Sequence, residues 1–181
     1  VALSSDDLDD WLPDPAIRTR HRLAASADAG ALWAAAQGVR LDQTRTIGRL
    51  VRWRIPGVAP EQSFAGLLSE EPFAILDEGE HWSISGLCGR IWTLARDYPL
   101  IDGPQRFRAY DEPRSARVLF AHWVQDDGGG RSTLVSEARV APTDRIAAAQ
   151  LHALWVVVGP FERLIGAEPL ALAVARAERG G

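Results

Sequence analysis

The sequence predicts an α+β domain in which one antiparallel sheet is covered by a single long C-terminal helix. Three observations carry this. Residues 73–140 read as successive strands separated by turn residues, with no helical period between them. The closing stretch "IAAAQLHALWVVVGPFERLIGAEPLALAVARAE", residues 146–178, reads as one helix with apolar residues on far more than one stripe. The middle strands have one apolar face, and only that last helix is large enough to cover it.

The elements follow in order. "LSSDDLDDWLPDP" is an acidic, proline-punctuated lead-in, expected as an irregular arm over residues 1–14 with Trp11 and Leu12 docking on the body. "AIRTRHRLAA" alternates strictly, with Ile17, Thr19, His21 and Leu23 on one face and Arg18, Arg20 and Arg22 on the other, as a half-buried strand does. Two short helices follow. "SADAGALWAAAQGV" has Ser26 as its candidate N-cap and carries Leu32 and Trp33. "RTIGRLVRWRI" spaces Ile47, Leu50 and Val51 helically until Pro56-Gly57 ends it.

"FAILDEGEHWSISGLCGRIWTL" reads as two strands turning around Glu78-Gly79-Glu80, and residues 105–140 as three more with turns at "DEPRS" and "DDGGG". Pairing Phe107 with Phe120, and Phe120 with Ser136, puts Phe107, Ala109, Val118, Phe120, His122, Val124, Leu134, Ser136, Ala138 and Val140 on one face. The same register sends Arg106, Arg108, Arg117, Glu137 and Arg139 to a charge-laced outer face. Thr143 or Asp144 caps the last helix, and Pro160 is expected to kink it, aiming Phe161, Leu164 and Ile165 at the core. The sheet is thus a curved one of about six or seven strands, in a single domain over residues 1–181.

Composition narrows the function. Charged residues are 24% and hydrophobic ones 46%, ordinary for a globular protein. A net charge of −4 without a basic block disfavours nucleic acid as the main partner. The single cysteine, Cys88, excludes an internal disulfide and a multi-cysteine metal site. No apolar run is long enough to span a membrane, and the acidic start is unlike a signal peptide, so the expected location is cytoplasmic. All 20 side-chain cations are arginine, which rules out a Schiff-base lysine or a P-loop lysine.

The order of elements resembles the START-like helix-grip superfamily, often labelled SRPBCC, whose members include pollen-allergen-type ligand carriers, lipid-transfer domains and polyketide cyclase/aromatases. The likeness covers residues 15–178. It rests on "LPDPAIRTRHRLAASADAGALWAA", "GLCGRIW", "STLVSEARVAPTD" and "LWVVVGPFERLI", phrases similar to an uncharacterised bacterial subgroup. The resemblance implies a cavity between sheet and helix that accepts a hydrophobic small molecule.

Candidate site residues follow from the faces. His21 and His122 lie on the inward faces of separate strands, where each either orients or protonates a ligand or is a satisfied structural histidine. Arg90 shares parity with Trp82, Ile84, Cys88 and Trp92, the more apolar side of its strand, and either holds an anionic group or reaches water at the rim. His122, His21 and Arg90 are therefore the candidate catalytic groups. Trp33, Trp82, Trp92, Phe107, Phe120, His122, Leu134 and Ser136 are the candidate ligand wall, completed by Ala153 and Val157 of the last helix. Cys88 reads as an inert buried thiol, Tyr110 as a surface or rim residue, and His81 and His152 as structural or exposed. Four scattered histidines without metal-ligand spacing predict no metal, and no organic cofactor is expected. Trp155, on the less obvious side of the last helix, marks a candidate homodimer patch.

The expected function is binding of a hydrophobic, lipid- or polyketide-like small molecule. A polyketide or natural-product cyclase or dehydratase using the same cavity is the alternative from another class, so enzyme status stays open. A protein-interaction module is the third.

Overall fold

The computed structural model describes residues 3–54, 57–93 and 98–180, apart from the side chains of 54 and 160–165. After a short 3-10 turn at Asp7–Asp10 the chain runs β1 (Ile17–Ala25), α1 (Ala29–Gln37), α2 (Ile47–Arg54), α3 (Phe64–Leu68), β2 (Ala74–Gly79), β3 (Trp82–Gly89), α4 (Gly103–Arg108), β4 (Ala116–Gly128), β5 (Arg131–Pro142) and α5 (Arg145–Gly180). One antiparallel sheet has the order β1-β5-β4-β3-β2. With helices inserted after the first strand and α5 packed on β1 and β5, this is the helix-grip arrangement.

The sheet has five strands among the described residues rather than six or seven. The missing strand is "QRFRAY", which is α4. Four alternating residues fit a helix turn as well as a strand, and Gly103, at φ +80°, with Pro104 in the first turn starts the helix. Asp28 rather than Ser26 caps α1, accepting from the Ala31 amide at 2.8 Å. Asp144 takes the same part for α5, accepting from the Ala147 amide at 2.7 Å. The β4–β5 hairpin turns at Gly129 and Gly130, both at positive φ (66° and 73°), as a two-residue turn of matching twist requires.

α5 is one continuous helix through Gly159-Pro160. The kink expected at Pro160 and the aim of Phe161, Leu164 and Ile165 lie outside the described residues.

Both faces of the sheet are covered, and this is the main departure from expectation. The charged face is not the outside. The N-terminal arm and α4 close over it, with Leu8, Trp11, Leu12 and Phe107 packed on Leu119, Ala121 and Trp123. Under the arm Glu137 and Arg139 are 1% and 0% exposed. Arg139 donates from Nε to Glu137 (2.7 Å), and from its two terminal nitrogens to the Leu12 carbonyl (2.9 Å), the Ser5 carbonyl (2.7 Å) and the Asp9 carboxylate. Glu137 also accepts from Arg18 (2.9 Å), Arg20 (2.6 Å) and the Ser5 hydroxyl (2.6 Å). Burial pushes the Glu137 carboxyl up, but the donors Ser5, Arg139 and Arg20 outweigh it and hold the group below the ordinary glutamate range. Two buried charges are tolerable because every neighbour is a partner.

Candidate functional site

On the other face the sheet does not meet a filled core. A cavity of about 490 Å³ lies between it, α5 and the three short helices α1, α2 and α3. Its volume falls in the range of small-molecule sites, about 300–1,000 Å³. The walls are overwhelmingly apolar, with Trp33 from α1, Phe64 from α3, Phe73, Phe120 and Trp155 supplying the aromatic surface. Phe73 and Phe120 meet edge to face, ring centres 5.9 Å apart.

The polar exceptions are ordered. Ser83 of β3 is in register with His122 of β4, His122 with Ser136 of β5, and Ser136 with His21 of β1. All four line the cavity, so one polar row crosses its floor over four strands. At the usual strand spacing of about 4.8 Å the row is roughly 14 Å long. Thr19 lies one position further out on the same face.

His122 sits in this row without a hydrogen bond or ion pair among the described residues. Loss of solvation in the apolar surroundings pushes its pKa from 6.5 down to about 4, so the imidazole is neutral at physiological pH. A neutral imidazole offers one donor and one acceptor to whatever fills the cavity. His21 lies under α5, where Gly166 passes so close that an added Cβ would overlap the imidazole ring. Gly166 is therefore fixed by the approach of helix to strand, not by backbone flexibility.

The structure brings together Trp33, Phe120, His122, His21, Leu134 and Ser136 from the candidate set. The pairing register behind that set was two residues off, since Phe120 pairs with Ala138 and His122 with Ser136. Faces depend on parity alone, and a two-residue shift keeps parity.

Five candidates lie elsewhere, and Arg90 is a sixth. Phe107 is on α4, wholly buried on the arm face, where its ring packs over Gly86. Trp82 also packs on that face. The apolar side of β3 (Trp82, Ile84, Cys88) faces the filled core, while Ser83 and Leu87 face the cavity. Trp92 packs beside the cavity, in the cluster of Leu87, Val118 and Val140, without lining it. Ala153 and Val157 are exposed, because α5 turns Trp155 and Val158 inward instead. Trp155, half-buried, is thus part of the cavity wall. Arg90 is exposed and does not reach the lining.

Tyr110 is buried on the arm face at 8% exposure rather than at the surface. Cys88 is on that face too, and burial, only partly opposed by Arg117 and Arg106, pushes its thiol up to about 12, which leaves it unreactive at neutral pH. Among the described residues no cluster of histidine, cysteine or carboxylate groups is arranged for a metal. No described helix is long and apolar enough to cross a membrane.

Sequence reasoning missed Ser83, Phe64, Pro169 and Gly166. Two signals were available: the serines alternating in "WSISG", and a glycine inside a long helical stretch, which marks close backbone approach.

No protein-family model and no curated protein matches the chain. Among solved structures it is similar to the Zhui aromatase/cyclase of a Streptomyces species, at 14% identity and a TM-score of 0.36, over 90% of this chain and 94% of that one. It is similar to the norcoclaurine synthase of Thalictrum flavum, solved with dopamine and hydroxybenzaldehyde, at 14% identity and a TM-score of 0.36, over 90% of this chain and 84% of that one. A Thermus thermophilus protein gives 10% identity and a TM-score of 0.36, over 91% of this chain and 99% of that one. Likenesses this distant say nothing of what the cavity of this chain holds.

Proposed function

We propose that this chain binds a hydrophobic small molecule in the cavity between sheet and α5, and that the row Ser83–His122–Ser136–His21 holds the ligand's few polar groups. The observation that carries the reading is His122, a neutral polar side chain without a protein partner among the described residues, on the floor of an apolar chamber. Such a group costs stability unless a ligand or water satisfies it. The surrounding walls favour an elongated apolar molecule with hydrogen-bonding groups along one edge.

A cyclase- or dehydratase-like enzyme is the second reading, favoured by two imidazoles flanking Ser136 in one row. One could take a proton and the other return it. Against it stands the depressed pKa of His122, which makes that ring a weak base at neutral pH while leaving it a full hydrogen-bond partner.

Fluorescence titration with Nile red, a neutral apolar dye, tests the binding reading. We expect saturable uptake at one site per chain, abolished by Val118→Trp, which fills the chamber, and altered by His122→Phe. Uptake unchanged in the Val118→Trp variant, with its fold intact by circular dichroism, would place the dye elsewhere and sink the proposal. No uptake by the native chain would sink it as well.

A further inference from the structure

α2 closes one side of the cavity, and its outer face combines exposed apolar side chains with exposed arginines. Ile47 and Val51 turn inward and line the chamber. Leu50 both lines it and is 41% exposed, so the chamber reaches the surface at this helix. Trp53 is 62% exposed, one helical turn beyond Leu50. Large apolar side chains standing side by side in water at a cavity rim are a cost that a monomer in bulk solvent does not recover.

Charge sets this helix apart as well. The stretch 40–54 holds five arginines against one acidic residue, Asp42, within a chain of net charge −4. Asp42 is engaged by Arg40. Arg49 and Arg52 are exposed and make no hydrogen bond or ion pair among the described residues. Arg49 precedes Trp53 by four positions, so cation and indole share the same outer strip. The acidic neighbour, Glu168 of α5, is turned inward: its carboxylate accepts from the amides of Arg45, Thr46 and Ile47 and fastens the start of α2 to α5. The far end, with Leu50, Arg52 and Trp53, is the part left facing outward.

We propose that the outer face of α2 is a docking surface for an anionic lipid bilayer. Trp53 and Leu50 enter the headgroup region, and Arg49 and Arg52 meet lipid phosphates or carboxylates. The match is one of chemistry: an indole prefers the interface between water and hydrocarbon, and arginine keeps its charge in the polar layer while its stem lies against apolar surface. Unpaired cations beside exposed apolar groups are what an anionic interface recruits, and the phosphate backbone of a nucleic acid gives Leu50 no apolar place to go. Docked in this way, the cavity rim at Leu50 faces the layer into which apolar molecules partition. The docking itself rests on the outer residues of α2 and not on what the cavity holds.

Sedimentation of the full chain with vesicles tests it, using phosphatidylcholine alone and phosphatidylcholine mixed with phosphatidylserine. We expect association with the mixed vesicles only, weakening as salt is raised. Each arginine near such a surface is worth about a fivefold factor, so the paired change Arg49→Gln and Arg52→Gln should lower partitioning by about 30-fold. Trp53→Ser should weaken it with both arginines in place. These side chains are exposed, so the variants keep the native unfolding midpoint and the native Nile red uptake. Equal association with both vesicle types, association with neither, or a paired variant that partitions like the native chain would each overturn the proposal. So would binding to heparin as tight as to the mixed vesicles with no effect of Trp53→Ser, since the surface would then be a general polyanion site.

Discussion

The two faces of this sheet are built from alternate residues of the same strands, yet they solve burial in opposite ways. On the arm face Leu119, Ala121, Trp123, Glu137 and Arg139 are all at 2% exposure or less, beneath a lid formed by α4 and the arm residues Leu3, Leu8, Trp11 and Leu12. On the cavity face Phe120, His122 and Ser136 keep accessible surface, because the helices stand off from the sheet and leave a chamber. The closed face pairs its buried charges, Glu137 and Arg139, and leaves one buried neutral group, Trp123 Nε1, without a partner among the described residues. The open face carries serines and two imidazoles, and His122 meets no protein partner there among the described residues. Function is therefore expected where packing is incomplete, and stability where it is not.

Breaking the closed face should have the largest effect. Glu137→Leu removes the carboxylate that Arg139, Arg18 and Arg20 share, and leaves the Arg139 guanidinium buried with only Asp9 for a counter-charge. Stripping one partner from a buried ion network costs about 3–5 kcal/mol. Urea unfolding should show that loss, and protease should cut the arm before the body. An unchanged midpoint would mean that the network is ornamental and the arm is held by Trp11 and Leu12 alone.

Acid should act next, and on the open face. His122 binds a proton at about 4 in the folded chain against 6.5 in the unfolded one. Between those values the unfolded chain binds more protons, so stability falls as the pH drops from 6.5 towards 4, by up to about 3 kcal/mol in all. The carboxylates with lowered pKa, Asp7, Glu137, Asp144 and Glu168, begin to lose their contribution as pH falls into the ordinary carboxylate range. The His122→Phe variant should thus be flat above about pH 5.5, where the native chain is already declining. Parallel pH profiles for the two would show that water in the chamber solvates the imidazole.

These two faces also decide how much was legible from sequence. Strict alternation in β1 and in β4 with β5 placed His21, His122 and Ser136 on one face, because one parity rule governs all three strands. β3 defeated the same rule. With both faces covered, its larger apolar residues, Trp82, Ile84 and Cys88, went to the filled side, and the serine side went to the chamber. α5 gave no stripe to choose from, so Ala153 and Val157 were placed inward when Trp155 and Val158 are. That the arm docks through Trp11 and Leu12 was legible, but the face it covers was beyond reach for another reason. Docking there depends on contacts between Ser5 or Asp9 and Arg139, more than a hundred residues apart, for which no local pattern exists.

The smallest effect sharpens the comparison most, because it uses the same substitution on both faces. Phe107→Ala empties a site that is 0% exposed and packed against Gly86 and Leu76, so it leaves a new void in a filled core. The cost of a buried phenylalanine truncated to alanine is about 3–5 kcal/mol, part of it from the void itself. Phe120→Ala removes a ring that already borders the chamber, and its edge-to-face contact with Phe73. No new void has to be opened there; an existing one grows. Only the transfer of the partly buried ring and the aromatic contact are lost, about 1–2 kcal/mol. Thermal unfolding of the two variants should therefore differ by about 2 kcal/mol, with Phe107→Ala the weaker protein. The Phe120 variant should also take up larger apolar dyes than the native chain does. Equal losses would mean that the chamber is collapsed in solution and that both faces are filled alike.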